Sequence, residues 1–171
     1  MIVFFLSTAA HATKSWTREG AYGRAALGIG LGQKGYGEDR DYGGSGSLSL
    51  GVAMSDKMLI GFNVDLWNQE QRLRLMNIGL SMSFYAYDIT FFRFGPSLAM
   101  AESQWERGSS GGFGYVAACG FEAKIVPRIA LQTAVSYSYA RAFEEPVSAD
   151  CISFLLGLVA YSGRRDLTTG R

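Results

Sequence analysis

The stretch Gly46 to Trp67, GSLSLGVAMSDKMLIGFNVDLW, decides the fold. Leu48, Leu50, Val52 and Met54 alternate with Ser47, Ser49, Gly51 and Ala53. After the turn Ser55-Asp56-Lys57, Met58, Ile60, Phe62, Val64 and Leu66 alternate with Leu59, Gly61, Asn63 and Asp65. A period of two is that of a β-strand, and two such runs joined by so short a turn form an antiparallel hairpin. One face of the hairpin is large and apolar. The other is small, mildly polar and almost uncharged. A soluble sheet arms its wet face with Lys, Glu and Thr, and this hairpin does not. Which face meets water is the question the rest of the chain must answer.

The alternation recurs outward from the hairpin. Six further segments carry it: Ala21–Gly32, Leu75–Tyr85, Thr90–Ala101, Gly112–Lys124, Ile129–Ala140 and Cys151–Tyr161. In each, residues such as Leu27, Ile78, Phe92, Phe121, Leu131 and Phe154 share one face, against Gly, Ala and Ser on the other. Leu155 breaks the small-residue rule. Charge nearly vanishes inside the segments. Arg24, Asp65, Arg93 and Glu122 are the main exceptions, and all four fall on the small-residue face. The turns near 55–57, 87–89 and 125–127 are short. The links 33–43, 68–74, 102–111 and 141–150 are longer and polar. Short turns at one end and long loops at the other describe an up-and-down meander with two unlike ends.

The chain has 171 residues, enough for one domain. It is 48% hydrophobic, and no run approaches the roughly 20 apolar residues of a spanning helix. A net charge of +1 gives no reason to expect a nucleic acid as partner. The first residues, MIVFFLSTAAHA, resemble a shortened secretion signal, with Ala10-His11-Ala12 as a small-x-small cleavage site but no basic start. The reading divides the chain into a signal over 1–12, a barrel over 13–161 and a polar tail over 162–171. Cys119 is expected to point outward and Cys151 inward or into a loop. They sit on segments separated by a third, so two free thiols are expected rather than a disulfide, whose Cα atoms must approach within roughly 7 Å.

Closing eight strands leaves two options. With the apolar face inside, the object is a soluble barrel or sandwich, such as a lipocalin-like binder, with four charges on a surface of Ser, Gly and Ala. With the apolar face outside, it needs lipid as its solvent. The interior of an eight-stranded barrel is only wide enough to be filled by side chains, which suits small residues and a few polar groups. Roughly 9 to 11 tilted residues span a bilayer, close to the length of each segment. Apolar-out, polar-in alternation with aromatics toward strand ends is the transmembrane barrel pattern, and closure pairs every backbone group, as lipid demands. Trp67, Tyr85, Tyr87, Phe113, Tyr115, Tyr139 and Tyr161 lie near strand ends and are expected at the interface.

On these residues, about Ala21 to Tyr161, the chain resembles the small outer-membrane barrels of the OmpA/OmpX type. The resemblance implies an all-β, eight-stranded antiparallel up-and-down transmembrane barrel in the outer membrane of a Gram-negative-type bacterium, with periplasmic termini and long outer loops. It implies lipid and lipopolysaccharide as surroundings, the barrel-assembly machinery as a partner, and a structural or adhesive role at the cell surface. Family barrels end on an aromatic that the machinery reads. Here Tyr161 ends the last segment and SGRRDLTTGR follows. Lys34, Tyr36, Arg40 and Tyr42 in the first long link are the candidates for a surface or lipopolysaccharide contact.

Other motifs read as loops. Gly30 to Gly35 matches GxGxxG, but no helix follows to hold a pyrophosphate. Gly108 to Gly112 contains GxSxG, yet the sole histidine, His11, lies in the signal segment. A serine nucleophile needs a base, so an enzyme is not expected. Glu38, Asp39 and Asp41 have Arg40 among them and fit no calcium loop. No metal or cofactor is expected. Arg24, Asp65, Arg93 and Glu122 must face inward, because a charge toward lipid at mid-depth costs about 2–4 kcal/mol. Arg93 and Glu122 are expected to pair near the short-turn end, as part of an interior network that plugs the lumen. The alternative is a narrow channel or small-solute transporter in which those charges guide a solute.

Overall fold

The computed structural model describes residues 18–34, 40–69, 73–103, 108–143 and 148–163. The signal expected over 1–12 and the part of the expected tail beyond Gly163 lie outside them. The chain forms β1 (Gly20–Lys34), β2 (Asp41–Ser55), β3 (Met58–Gln69), β4 (Leu73–Tyr85), β5 (Thr90–Ser103), β6 (Gly108–Val126), β7 (Ile129–Ala142) and β8 (Ser148–Tyr161). Every strand pairs antiparallel with its sequence neighbour, and β8 returns to β1, so the sheet is a closed barrel. Closure leaves no edge with unpaired N–H and C=O groups, the condition for placing β-structure in hydrocarbon.

The stagger of the barrel follows from the pairings. Arg24 faces Ser49, then Asn63, Gly79, Ser97, Gly114, Ala140 and Ala149 in turn, and Ala149 faces Lys34. One circuit thus closes ten residues further along β1. Such a stagger tilts the strands by roughly 35–45° from the axis. Strands of 12 to 19 residues are then longer than a bilayer requires.

The apolar face points outward. Leu27, Leu48, Leu50, Phe62, Leu80, Phe92, Leu98, Phe121, Phe154 and Leu156 are all exposed, Leu50 at 70%. Ile60 and Ile78 are partly covered, on the same outward parity as Phe62 and Leu80. A soluble lipocalin-like barrel requires these residues to meet in the middle, so that alternative is overturned. Single exposed apolar residues are normal on a soluble protein, but a continuous band of them is not.

Two expectations need correction. The links at the far end are shorter than expected, because the strands continue into them: residues 35–40, 70–72, 104–107 and 143–147 separate β1–β2, β3–β4, β5–β6 and β7–β8. Tyr42 pairs with Leu31, and Ala101 with Ser110. Above the lipid the outer face no longer needs apolar residues, so the alternation fades while the backbone ladder persists. The second correction concerns the aromatics. Tyr87, Phe113 and Tyr115 are exposed and Tyr139 is partly so, whereas Trp67, Tyr85 and Tyr161 are buried inside the barrel. Strand parity decides it: Trp67 follows Asn63 and Asp65, and Tyr85 follows Ser81 and Ser83, on the inward face.

Candidate functional site

The interior is the candidate site, and it is built in three tiers. At the short-turn end, Tyr22, Leu59, Tyr85, Phe91, Ala134, Leu155, Val159 and Tyr161 form an apolar cluster. Glu122 sits in it with no exposed surface. Its Oε1 accepts from Arg18 Nε at 3.1 Å and from Tyr161 OH at 3.0 Å. Its Oε2 accepts from Tyr85 OH at 2.6 Å and from Gln132 Nε2 at 3.1 Å. A buried carboxylate is tolerable only when paired and hydrogen-bonded, and Glu122 meets both conditions.

Arg18 comes from the segment before β1. Its Nη1 donates to Asp56 O at 3.1 Å and its Nη2 to Asp88 O. Its Cζ lies 3.6 Å from the centroid of the Tyr85 ring, a cation–π contact. One guanidinium thus ties two turns of the short end to the buried carboxylate. Sequence reading missed Arg18. The signal was present, since Arg18, Gly20, Tyr22 and Arg24 share one parity.

The middle tier is polar. Arg24 Nη1 donates to Ser47 Oγ at 2.8 Å, and Arg93 Nη1 to Ser49 Oγ at 3.4 Å. Arg93 Nη2 lies 3.6 Å from Asp65 Oδ1. Asn63 Nδ2 donates to Asp65 Oδ2, and Ser97 Oγ donates to Asn77 Oδ1 at 2.8 Å. Arg24, Asp65, Arg93 and Glu122 are therefore all buried within the barrel. The pairing differs from expectation, because Arg93 stands against Asp65 and Glu122 against Arg18. The two candidates are separated in depth: Arg93 lies opposite Ala118 on β6, and Glu122 is four residues further along β6 toward the short end.

Toward the loop end, Trp67, Leu75, Ala99, Ala140, Ala149 and Cys151 form a second buried cluster. The Trp67 indole occupies the space a side chain would take at two glycines. A Cβ on Gly32 would stand 2.8 Å from the indole, and one on Gly43 would stand 2.6 Å from its Nε1. Ser45 and Ser153 share a 2.7 Å hydrogen bond beside Cys151. Two cavities of about 10 Å3, each about the size of one water, lie among the described residues and share no lining residue.

Of the surface candidates, Tyr42 is exposed, and Arg40 Nη2 donates to Asp150 Oδ2 at 2.8 Å across to β8. Tyr36 and the Lys34 side chain lie outside the described residues. Nearby on the outer wall, the Phe113 and Phe143 rings meet edge to face at 4.7 Å, and Tyr115 lies 5.3 Å from Tyr139. Cys119 is exposed on the lipid-facing side and Cys151 is buried, both as free thiols.

No protein-family model and no curated protein sequence matches the chain. Solved structures do resemble it. Neisserial surface protein A superposes with a TM-score of 0.61 at 17% identity, covering 84% of this chain and 99% of that one. Ail, the attachment invasion locus protein of Yersinia pestis, superposes with a TM-score of 0.53 at 12% identity, covering 82% and 99%. At such identities the likeness concerns the backbone alone. The fold is that of the small eight-stranded outer-membrane β-barrels.

Proposed function

We propose that the protein is an outer-membrane barrel of a Gram-negative-type bacterium with a structural or adhesive role. The wall anchors it in lipid, the filled interior makes it rigid, and the loop-end rim makes contact outside the cell. The carrying observation is the pairing of an apolar outer wall with an interior occupied by buried side chains. Glu122, Trp67 and Phe91 lie across the bore with almost no exposed surface, which favours a plug over a path for solute. What remains for recognition is the rim, where Arg40 pairs with Asp150 and Tyr42 is exposed. Exposed Tyr and Arg suit contacts with lipopolysaccharide sugars and phosphates and with a surface partner. The neighbouring folds named as a surface protein and as an attachment invasion locus protein are in keeping with this reading.

The test uses the full chain displayed on a non-adherent bacterium. Adherence to an epithelial monolayer is expected to rise several-fold over the empty vector. It should fall back when Arg40 and Tyr42 are both replaced by Ser while the heat-dependent gel shift of the folded barrel is retained. Adherence equal to the vector contradicts the adhesive role. Large, stable conductance in planar bilayers contradicts the plug and favours the channel.

A further inference from the structure

Arg24 and Arg93 enter the barrel from β1 and β5 and rest on neighbouring inward serines of β2, Ser47 and Ser49. Both side chains are more than nine-tenths buried, with 6% and 4% of their surface exposed. The charges around them do not balance. Glu122 is already engaged by Arg18, two tyrosines and Gln132. Asp65 is the one carboxylate within ion-pair distance of either arginine among the described residues. At 3.6 Å from Arg93 Nη2 it makes no hydrogen bond there. Arg24 Nε, Arg93 Nε and Arg93 Nη2 are buried donors without an acceptor. Two guanidinium groups thus share one carboxylate, in a region shielded from water by the lipid-facing wall.

The same two arginines wall a cavity of about 10 Å3, together with Ser49, Ser83, Tyr22 and Gln132. A water there would accept hydrogen bonds but would leave the excess positive charge uncompensated. A buried charge without a counter-ion is among the costliest arrangements in a protein interior. A phosphate or sulfate is too large for a space of one-water size. A monatomic anion is the smallest occupant of such a space that also compensates the charge.

We propose that the cavity between Arg24 and Arg93 binds one small monovalent anion of the chloride class, held as an integral part of the folded barrel. The ion would accept from the orphaned guanidinium N–H groups and offset the second positive charge. It enters during folding, before the interior closes.

Two measurements on the full chain test this. First, protein refolded in bromide and crystallised with bromide in place of chloride should show an anomalous peak in the cavity, in contact with both arginines. Second, the protein is refolded and then unfolded by urea in sodium chloride and in sodium gluconate at equal ionic strength. Chloride at about ten times its dissociation constant should shift the unfolding equilibrium about tenfold toward the folded state. The variant Arg24→Gln should lose that difference between the salts. A cavity without bromide, equal unfolding in the two salts, or a chloride effect that Arg24→Gln leaves unchanged each overturns the proposal. The bromide measurement needs no variant, so it stands even if Arg24→Gln fails to fold.

Discussion

The Nε–H of Arg18 donates to Glu122 Oε1 at 3.1 Å, joining a residue outside the first strand to one 104 positions later on β6. Both side chains are buried, and three further donors complete the carboxylate's shell. Arg18 therefore acts as a stopper at the short-turn end, held by the charge it neutralises.

Removing one partner of a buried ion pair leaves the other uncompensated, which costs about 3–5 kcal/mol. Glu122→Gln and Arg18→Gln should each destabilise the barrel on that scale. The double variant should lose less than the sum of the two, because neither charge is then stranded. Urea titrations followed by tryptophan fluorescence in lipid vesicles give all three values. Additive losses would show that the pair is not coupled.

The contact between Trp67 and Gly32 predicts a steric effect at a single methyl. A Cβ at Gly32 would meet the indole at 2.8 Å, inside van der Waals distance. Gly32→Ala should destabilise by about 1–3 kcal/mol, the usual cost of overpacking. Gly44→Ala serves as the control, since a Cβ there meets nothing within 4 Å. Equal losses at the two positions would remove the indole as the cause.

Much of this was legible in the residues themselves. The hairpin from Gly46 to Trp67 exposes the period, and the parity of Arg24, Asp65, Arg93 and Glu122 with glycines and serines gives the inward face. Parity also carried Trp67, Tyr85 and Tyr161 inward, where placement near strand ends had suggested the membrane interface. Composition is the weaker signal of the two, because alternation is enforced by the pleat. The pairing of Glu122 with Arg18 was not legible, since it depends on barrel stagger and on a residue before the first strand. The true strand ends were hidden for a related reason: beyond the lipid, backbone pairing continues without any side-chain pattern.

The lipid-facing wall should punish charge by depth. Phe94→Arg, on the apolar band, should cost about 2–4 kcal/mol in a bilayer, and Tyr42→Arg, at the rim, about 0–1 kcal/mol. Unfolding free energies in vesicles compare them directly. A larger loss at Tyr42 would place the membrane band elsewhere on the barrel.

The two thiols should differ in reactivity. Cys119 is exposed toward lipid and Cys151 is buried among Ser153 and its neighbours. In vesicles, a lipid-soluble maleimide should label Cys119 and a charged, water-soluble one should not. Cys151 should react with neither until the barrel unfolds. Rapid labelling of Cys151 in the folded protein would contradict a filled interior.

Orientation of the apolar face carries everything else, and spin-label accessibility measures it most directly. Nitroxides are placed one at a time at Leu50, Leu80, Phe94 and Leu156, and at the inward positions Ser81 and Ser136, in a Cys119→Ser, Cys151→Ser background reconstituted into vesicles. The four outward labels should collide far more often with oxygen, which concentrates in the acyl region, than with a water-soluble nickel chelate. The two inward labels should be shielded from both. Outward labels that meet the nickel chelate as readily as oxygen would contradict the membrane-spanning barrel.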